Sequence, residues 1–73
     1  MSIILTLFFL IKLINSIIWI YIDQKKYKEA INVADKALSD FPQSRTFKWG
    51  LARAYEEINP SKAIELYLDI LNS

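Results

Sequence analysis

Two stretches, INSIIWIY at residues 14–21 and TFKWGLARAY at residues 46–55, decide the fold because they match at a spacing of 34 residues. The matching residues are Ile17, Ile18 and Tyr21 in the first stretch and Leu51, Ala52 and Tyr55 in the second. Each tyrosine is followed by a second helical pattern, YKEAINVADKAL at residues 27–38 and SKAIELYLDIL at residues 61–71. A period of this length with two helical segments per unit predicts an all-α fold of antiparallel helical hairpins.

Capping signals divide the chain into four helices. The predicted helices are the N-terminal segment to about Asp23, residues 25–40, Arg45–Ile58, and a fourth that begins at Pro60. Phe41-Pro42 ends the second helix, because a residue before proline avoids the α region. Ser44 is a suitable N-cap for the third helix, and Asn59 for the fourth. The buried side of the fourth helix is expected to carry Ala63, Ile64, Leu66, Tyr67, Ile70 and Leu71.

The apolar segment at residues 3–22 predicts a membrane anchor. Fourteen of its twenty residues are Ile, Leu or Phe, and Lys12 is its only charged residue. Twenty helical residues span about 30 Å, the thickness of a hydrocarbon core. Trp19 and Tyr21 near one end suit an interfacial belt. We therefore expect an anchor over residues 1–24 and a soluble helical domain over residues 25–73.

Two alternatives compete with a retained anchor: a buried helix of a soluble protein and a cleaved signal peptide. A signal peptide fits less well, because no Lys or Arg precedes the apolar run and no small-x-small cleavage site follows it. For an anchor, Lys25, Lys26 and Lys28 predict a single-pass topology with the C-terminal part in the cytoplasm, by the positive-inside rule.

Lys12 shares one helical face with Asn15, Ser16 and Asp23, because their spacings return to nearly the same angle. Two interpretations stay open. Either this half of the helix lies partly outside the lipid and Lys12 snorkels to water, or the polar face meets a polar group of a partner helix inside the membrane.

Composition argues against several classes of function. The chain has no Cys and no His, so disulfides, thiolate metal sites and imidazole bases are excluded, and its net charge of +1 favours no nucleic-acid partner. Glu65 and Asp69 share a helical face, but with no further ligand or helper base they predict a solvated surface. We expect no enzymatic activity, no cofactor and no metal.

The repeat resembles the tetratricopeptide family, whose unit has an L-G-x2-Y core in its first helix and A-x3-F in its second. Here LARAY supplies Leu51, Ala52 and Tyr55, and AIELY supplies Ala63 and Tyr67. The resemblance covers residues 11–71, nearly two units. The second unit departs from the family pattern because its interhelix loop is one residue shorter and it lacks the closing proline. The first unit departs because its first helix is merged into the apolar segment.

The resemblance implies protein binding in a groove lined by the first helix of each unit. On the face that would line it, the candidate partner-binding residues are Lys12, Asn15, Trp19, Thr46, Trp49 and Arg53. Trp49 and Arg53 together are suited to clamp a peptide carboxylate. In the alternative, Trp49 packs against the N-terminal helix and Arg53 is solvated.

These observations predict a membrane-anchored scaffold or adaptor that binds other proteins without catalysis. One alternative is a small structural subunit of a multi-subunit membrane complex. Another is a soluble helical protein that self-associates into a homo-oligomer through its apolar segment.

Overall fold

Four α-helices make up the protein in a computed structural model that describes residues 3–72. They are α1 (Ile3–Asp23), α2 (Tyr27–Asp40), α3 (Arg45–Ile58) and α4 (Pro60–Asn72), and the described residues contain no strand. The prediction of an all-α chain with a long apolar N-terminal helix is confirmed. With a rise of about 1.5 Å per residue, α1 is roughly 31 Å long and the others are roughly 20 Å, so α1 extends beyond its neighbours.

The predicted caps of α3 and α4 are present. The Oγ of Ser44 accepts a hydrogen bond from the backbone N–H of Phe47 at 3.3 Å. The Oδ1 of Asn59 accepts one from the backbone N–H of Lys62 at the same distance. Each bond satisfies an N–H that a helix start leaves without a partner. The starts of both helices therefore agree with the sequence prediction.

The connection between α1 and α2 contains a left-handed residue. Lys25 has a φ of 62°, and the backbone N–H groups of Lys25 and Lys26 donate to the carbonyls of Ile22 and Tyr21. This is a Schellman closure with lysine at the position where glycine is usual. It uses residues 24–26, so α2 begins at Tyr27 and the predicted start at residue 25 is two residues early.

The helices pack in chain order, each against the next, and α3 also contacts α1. One core results, with Ile18 and Phe47 among its fully buried side chains. The core cluster consists of Ile18, Ile22, Ala30, Ala34, Ala37, Phe47, Leu51 and Ala54. The C-terminal half of α1 therefore lies in the same core as α2 and α3, although the sequence assigns it to a separate anchor.

Two of the three residue pairs that match at the spacing of 34 residues have the same burial, and one pair differs. Ile18 and Ala52 are both fully buried, and Tyr21 and Tyr55 are both half-buried. Ile17 is exposed whereas its equivalent Leu51 is buried. The difference follows from position, because α1 is covered by α2 and α3 from one side only, while α3 has neighbours on both sides.

On α4 the predicted buried side is partly wrong. Ala63 and Ile70 are buried, and Leu66 and Tyr67 are half-buried, but Ile64 is 59% exposed and Leu71 76% exposed. The physical reason is that α4 contacts α3 alone, so only one narrow face is covered. The apolar stripe read from the sequence is wider than that face.

Candidate interaction surfaces

The N-terminal end of α1 is apolar and exposed on all sides. Every residue from 3 to 10 is exposed, and seven of these eight side chains are large and hydrophobic. From Ile11 onward, one face of the helix packs against the core, through Ile11, Ile14, Ile18 and Ile22. The helix is long and apolar enough to cross a membrane. A single helix thus has an uncovered apolar end and a half that belongs to the bundle.

The polar side chains of α1 are bonded within the helix itself. The indole Nε1 of Trp19 donates to the Oδ1 of Asn15 at 3.1 Å, and the hydroxyl of Ser16 donates to the carbonyl of Lys12 at 3.0 Å. The Nζ of Lys12 lies 4.9 Å from the centroid of the Phe8 ring, within the range of a cation–π contact. These contacts depend on no other helix, so they persist wherever α1 goes and lower the cost of placing its polar groups in apolar surroundings.

A cleft of about 590 Å³ separates α1 from the α2–α3 connection. Phe8 and Ile11 form its α1 side, and the opposite wall consists of residues 40–46. That wall includes the charged residues Asp40 and Arg45, as well as Thr46 from the predicted groove. Charged groups therefore lie level with the first half of α1.

This geometry limits how α1 enters a bilayer while the bundle is intact. A span over residues 3–22 places Phe8 and Ile11 within the hydrocarbon, and α2 would accompany them. The sequence of α2 carries five charged residues, Lys28, Glu29, Asp35, Lys36 and Asp40. Lys28 and Glu29 would lie near the interface, but Asp35, Lys36 and Asp40, together with Arg45 of α3, would lie deeper in the hydrocarbon. At about 2.5–3.5 kcal/mol per charge, these four cost more than the fourteen Ile, Leu and Phe residues of α1 gain at about 0.3–0.6 kcal/mol each.

A second surface lies along the contact between α3 and α4, which we call the α3–α4 seam. The rings of Trp49 and Tyr67 meet at a centroid distance of 5.2 Å in a tilted arrangement. Next to this pair, the Nζ of Lys48, the residue before Trp49, lies 3.0 Å from the Oδ2 of Asp69. The Lys48 side chain is only 14% exposed, so the ion pair is partly desolvated on one side. The seam therefore combines an aromatic pair with charge contacts between the helices.

Arg53 is held by acidic residues of its own helix. Its Nε lies 3.7 Å from the Oε2 of Glu56, and its Nη1 lies 3.9 Å from the Oε1 of Glu57. The Nη1 atom is buried and makes no hydrogen bond, because 3.9 Å exceeds hydrogen-bonding distance. The guanidinium is therefore held near two carboxylates of its own helix, one turn beyond the half-exposed Trp49.

Tyr67 joins this network across the seam. Its hydroxyl donates to the Oε2 of Glu56 at 2.7 Å. Partial burial, this hydrogen bond and the negative charge of Glu56 raise the pKa of Tyr67 to about 12, while Arg53 acts in the opposite direction. The hydroxyl therefore stays protonated at neutral pH and acts as the donor that ties α4 to α3.

The six predicted partner-binding residues fall into three places. Lys12, Asn15 and Trp19 lie along α1, Thr46 lines the cleft, and Trp49 and Arg53 lie at the α3–α4 seam. The ring that Trp49 contacts belongs to α4, and Arg53 is ion-paired.

Sequence reasoning missed the seam partners Lys48, Glu56 and Tyr67. One signal could have found the Lys48–Asp69 pair, because these residues lie 11 and 10 positions from Asn59 and therefore level with each other in a hairpin.

Within residues 3–72, no group of three or more acidic side chains is placed to hold a metal ion. Scans of the chain against protein-family models, curated proteins and solved structures return no match.

Proposed function

We propose that this chain is a non-enzymatic scaffold or adaptor, attached to a membrane through α1 and binding a partner protein through a tetratricopeptide-like helical unit. The observation that carries the proposal is the exposed apolar end of α1 at residues 3–10. An apolar surface of this extent is stable only when something covers it, and a bilayer suits a continuous apolar helix.

The internal bonds of α1 support the anchor. The Oδ1 of Asn15, the hydroxyl of Ser16 and the indole N–H of Trp19 have hydrogen-bond partners within the helix, which lowers the cost of placing these three groups in lipid. Lys12 is the only charge between residues 3 and 22. Its cost of about 2.5–3.5 kcal/mol is smaller than the sum over fourteen Ile, Leu and Phe residues at about 0.3–0.6 kcal/mol each.

Orientation follows from three exposed lysines next to the end of α1. Lys25, Lys26 and Lys28 are all exposed. Basic residues close to a span are retained on the cytoplasmic side. We therefore place α2, α3 and α4 in the cytoplasm, with the amino terminus across the membrane.

The repeat-like packing supports a binding module. Helix α3 contacts both α1 and α2, and Ala30, Ala52 and Ala63 are buried where a small side chain lets helices approach closely. Trp49 is 48% exposed, and Arg53, whose side chain is 37% exposed, lies one turn further along α3. An aromatic side chain next to a guanidinium is a common anchor in protein interfaces and favours a partner that carries a carboxylate.

A second candidate function, self-association, is favoured by one observation. Ile64, Leu68 and Leu71 are exposed on α4 at spacings of four and three, which places them in one row. A soluble oligomer would cover this row and the end of α1 together. In a multi-subunit membrane complex, the same surfaces would pack against fixed subunits.

Membrane extraction and partner capture test these candidates. After an alkaline carbonate wash, an anchored chain stays in the membrane pellet, whereas recovery in the supernatant contradicts the anchor and favours the soluble oligomer. Capture from solubilised native membranes should recover less partner with Trp49→Ala and Arg53→Gln than with the wild type. Lys62→Gln, an exposed change on α4, is the matched control and should leave recovery unaltered. Equal recovery by all variants contradicts binding at the seam.

A further inference from the structure

The two halves of α1 make conflicting demands. Crossing a bilayer requires residues 3–22 to lie within the membrane, whereas the bundle requires Ile14, Ile18 and Ile22 to lie against α2 and α3. Asp40 and Arg45 lie level with Phe8 across the cleft, so the closed bundle carries charge to the level of the hydrocarbon. A helix that spans must therefore leave the bundle.

When α1 leaves, it uncovers a surface shaped to receive a helix. At Gly50, a side chain would lie 2.9 Å from the Cγ2 of Ile18, so the branched side chain of Ile18 rests directly on the backbone of α3. The core cluster that Ile18 joins includes the small side chains of Ala30 and Ala34 and the flat ring of Phe47. Such a surface accepts a closely packed helix and leaves little room for a loop.

We propose that α1 alternates between the bundle and the bilayer, and that the α2–α3 surface it vacates binds an amphipathic helix of a partner protein. This inference rests on the proposed membrane anchor and adds a second binding site to the seam around Trp49 and Arg53. Closed, the chain covers its own binding site. Inserted, it presents the site at the membrane surface.

The chemistry of the partner helix follows from the helix that occupies the site. α1 presents isoleucine at positions 11, 14, 18 and 22, a stripe with spacings of three and four. The partner should carry isoleucine or valine at the same spacings, with a β-branched residue at the position over Gly50. Its opposite face should be polar, because the corresponding face of α1, with Leu13, Ile17 and Ile20, is exposed.

A disulfide that locks α1 on α3 tests the alternation. The Cβ of Ile18 lies 3.8 Å from the position of a Cβ built on Gly50, which is a normal separation for a disulfide. The double variant Ile18→Cys/Gly50→Cys also removes the Cγ2 of residue 18, so the new Cβ at residue 50 no longer meets the atom that would crowd it. The native chain has no cysteine, so no other disulfide competes.

The full chain, labelled at its amino terminus with a fluorophore that iodide quenches, is added to neutral phosphatidylcholine vesicles. We expect the reduced double variant to protect the label from external iodide, which does not reduce disulfides, and the oxidised form to lose that protection. Each single-cysteine variant should behave alike in both redox states. If the oxidised form protects its label equally well, the alternation is wrong although the anchor stands. If wild-type chain never protects its label, the anchor itself fails.

A peptide probe tests the vacated surface. It comprises residues 11–26 with Leu13→Glu, Ile17→Lys and Ile20→Lys, which keep the buried stripe and prevent partition into lipid. In wild-type chain, vesicles should accelerate amide exchange in α2 severalfold, and the peptide should reverse this. A control peptide that also carries Ile18→Asp should not. Unchanged exchange on vesicle addition overturns the alternation without relying on any variant.

The remaining outcomes identify other occupants. A disulfide that forms between chains, seen as a dimer on a non-reducing gel, would assign the surface to α1 of a second copy and overturn the partner helix. If vesicles accelerate amide exchange in α2 but the peptide does not slow it again, the proposed docking site is wrong.

Discussion

Ile18 of α1 rests on the bare backbone of Gly50 in α3. A Cβ at residue 50 would lie only 2.9 Å from the Cγ2 of Ile18, closer than such atoms normally approach. Ile18 is fully buried and branched at Cβ, so it has little freedom to turn aside. This contact therefore limits how closely α1 and α3 can approach at residue 50.

Gly50→Ala is therefore expected to destabilise the bundle. Overpacking costs roughly 1–3 kcal/mol, while exchanging glycine for alanine within a helix gains about 1 kcal/mol. The free energy of unfolding should fall by up to about 2 kcal/mol in urea titrations. In an Ile18→Ala background the same change should become stabilising, because the crowding methyl group is gone. Stabilisation in the wild-type background would show that the helices move apart freely.

Ala63→Leu should overpack the contact between α3 and α4. Ala63 is almost fully buried, and a leucine there is expected to cost roughly 1–3 kcal/mol in the free energy of unfolding. The control is Glu65→Leu at an exposed position of α4, expected to change stability by less than about 0.5 kcal/mol. Thermal melts followed by circular dichroism compare the two, and equal melting temperatures would mean that the register of α4 is wrong.

Lys25→Gly is expected to stabilise the protein. Lys25 adopts a left-handed conformation that costs a non-glycine residue about 1–2 kcal/mol, and the entropy of glycine takes back about 0.5–1 kcal/mol. The net gain should be up to about 1.5 kcal/mol in the free energy of unfolding. Lys25→Ala removes the same charge but keeps a Cβ at the left-handed position, so it should not stabilise the protein. If both changes act in the same direction, the turn does not limit stability.

The Tyr67–Glu56 hydrogen bond should make stability depend on alkaline pH. Folding raises the pKa of Tyr67 from 10.0 to about 12, so the folded state keeps a proton that the unfolded state releases. The stabilising contribution is complete below pH 10 and is lost as the pH rises towards 12. Urea titrations at the two ends of this range should show a smaller loss for Tyr67→Phe than for the wild type. A loss of the same size in both proteins would place the hydroxyl outside the network.

A reporter fused after Ser73 checks orientation. With Lys25, Lys26 and Lys28 exposed next to the end of α1, a reporter that is active only in the cytoplasm should give a signal. Replacing the three lysines with glutamine should produce a mixture of orientations, because the positive-inside bias is removed. A signal solely from the opposite compartment in the wild type would reverse the proposed topology.

Local signals predicted the helix boundaries where a side chain makes the cap. Ser44 and Asn59 each accept a bond from a backbone N–H three residues later, an interaction contained in a few consecutive residues. The predicted start of α2 is two residues early. A glycine at residue 25 would have indicated a left-handed turn before the helix, whereas the lysine there does not.

The candidate site could be predicted less well, because it depends on which helix lies opposite. The spacing of four residues predicts that Trp49 and Arg53 share one face of α3. It does not predict that Trp49 contacts Tyr67 or that Arg53 pairs with Glu56. Helical periodicity reports an apolar stripe without reporting how much of it a neighbour covers. For the same reason Leu71 was expected to be buried and is exposed.

Because α4 contacts α3 alone, its unfolding breaks no contact among the other three helices. Opening α4 exposes Ala63 and Ile70 and leaves Ile18, Phe47 and Ile22 packed. Its free energy of opening is therefore lower than that of the whole protein, and α4 forms the outermost cooperative unit in a hierarchy of local unfolding. Under native conditions a protease should cleave α4 at a rate set by this local opening, and a molecule that covers α4 should slow the cleavage.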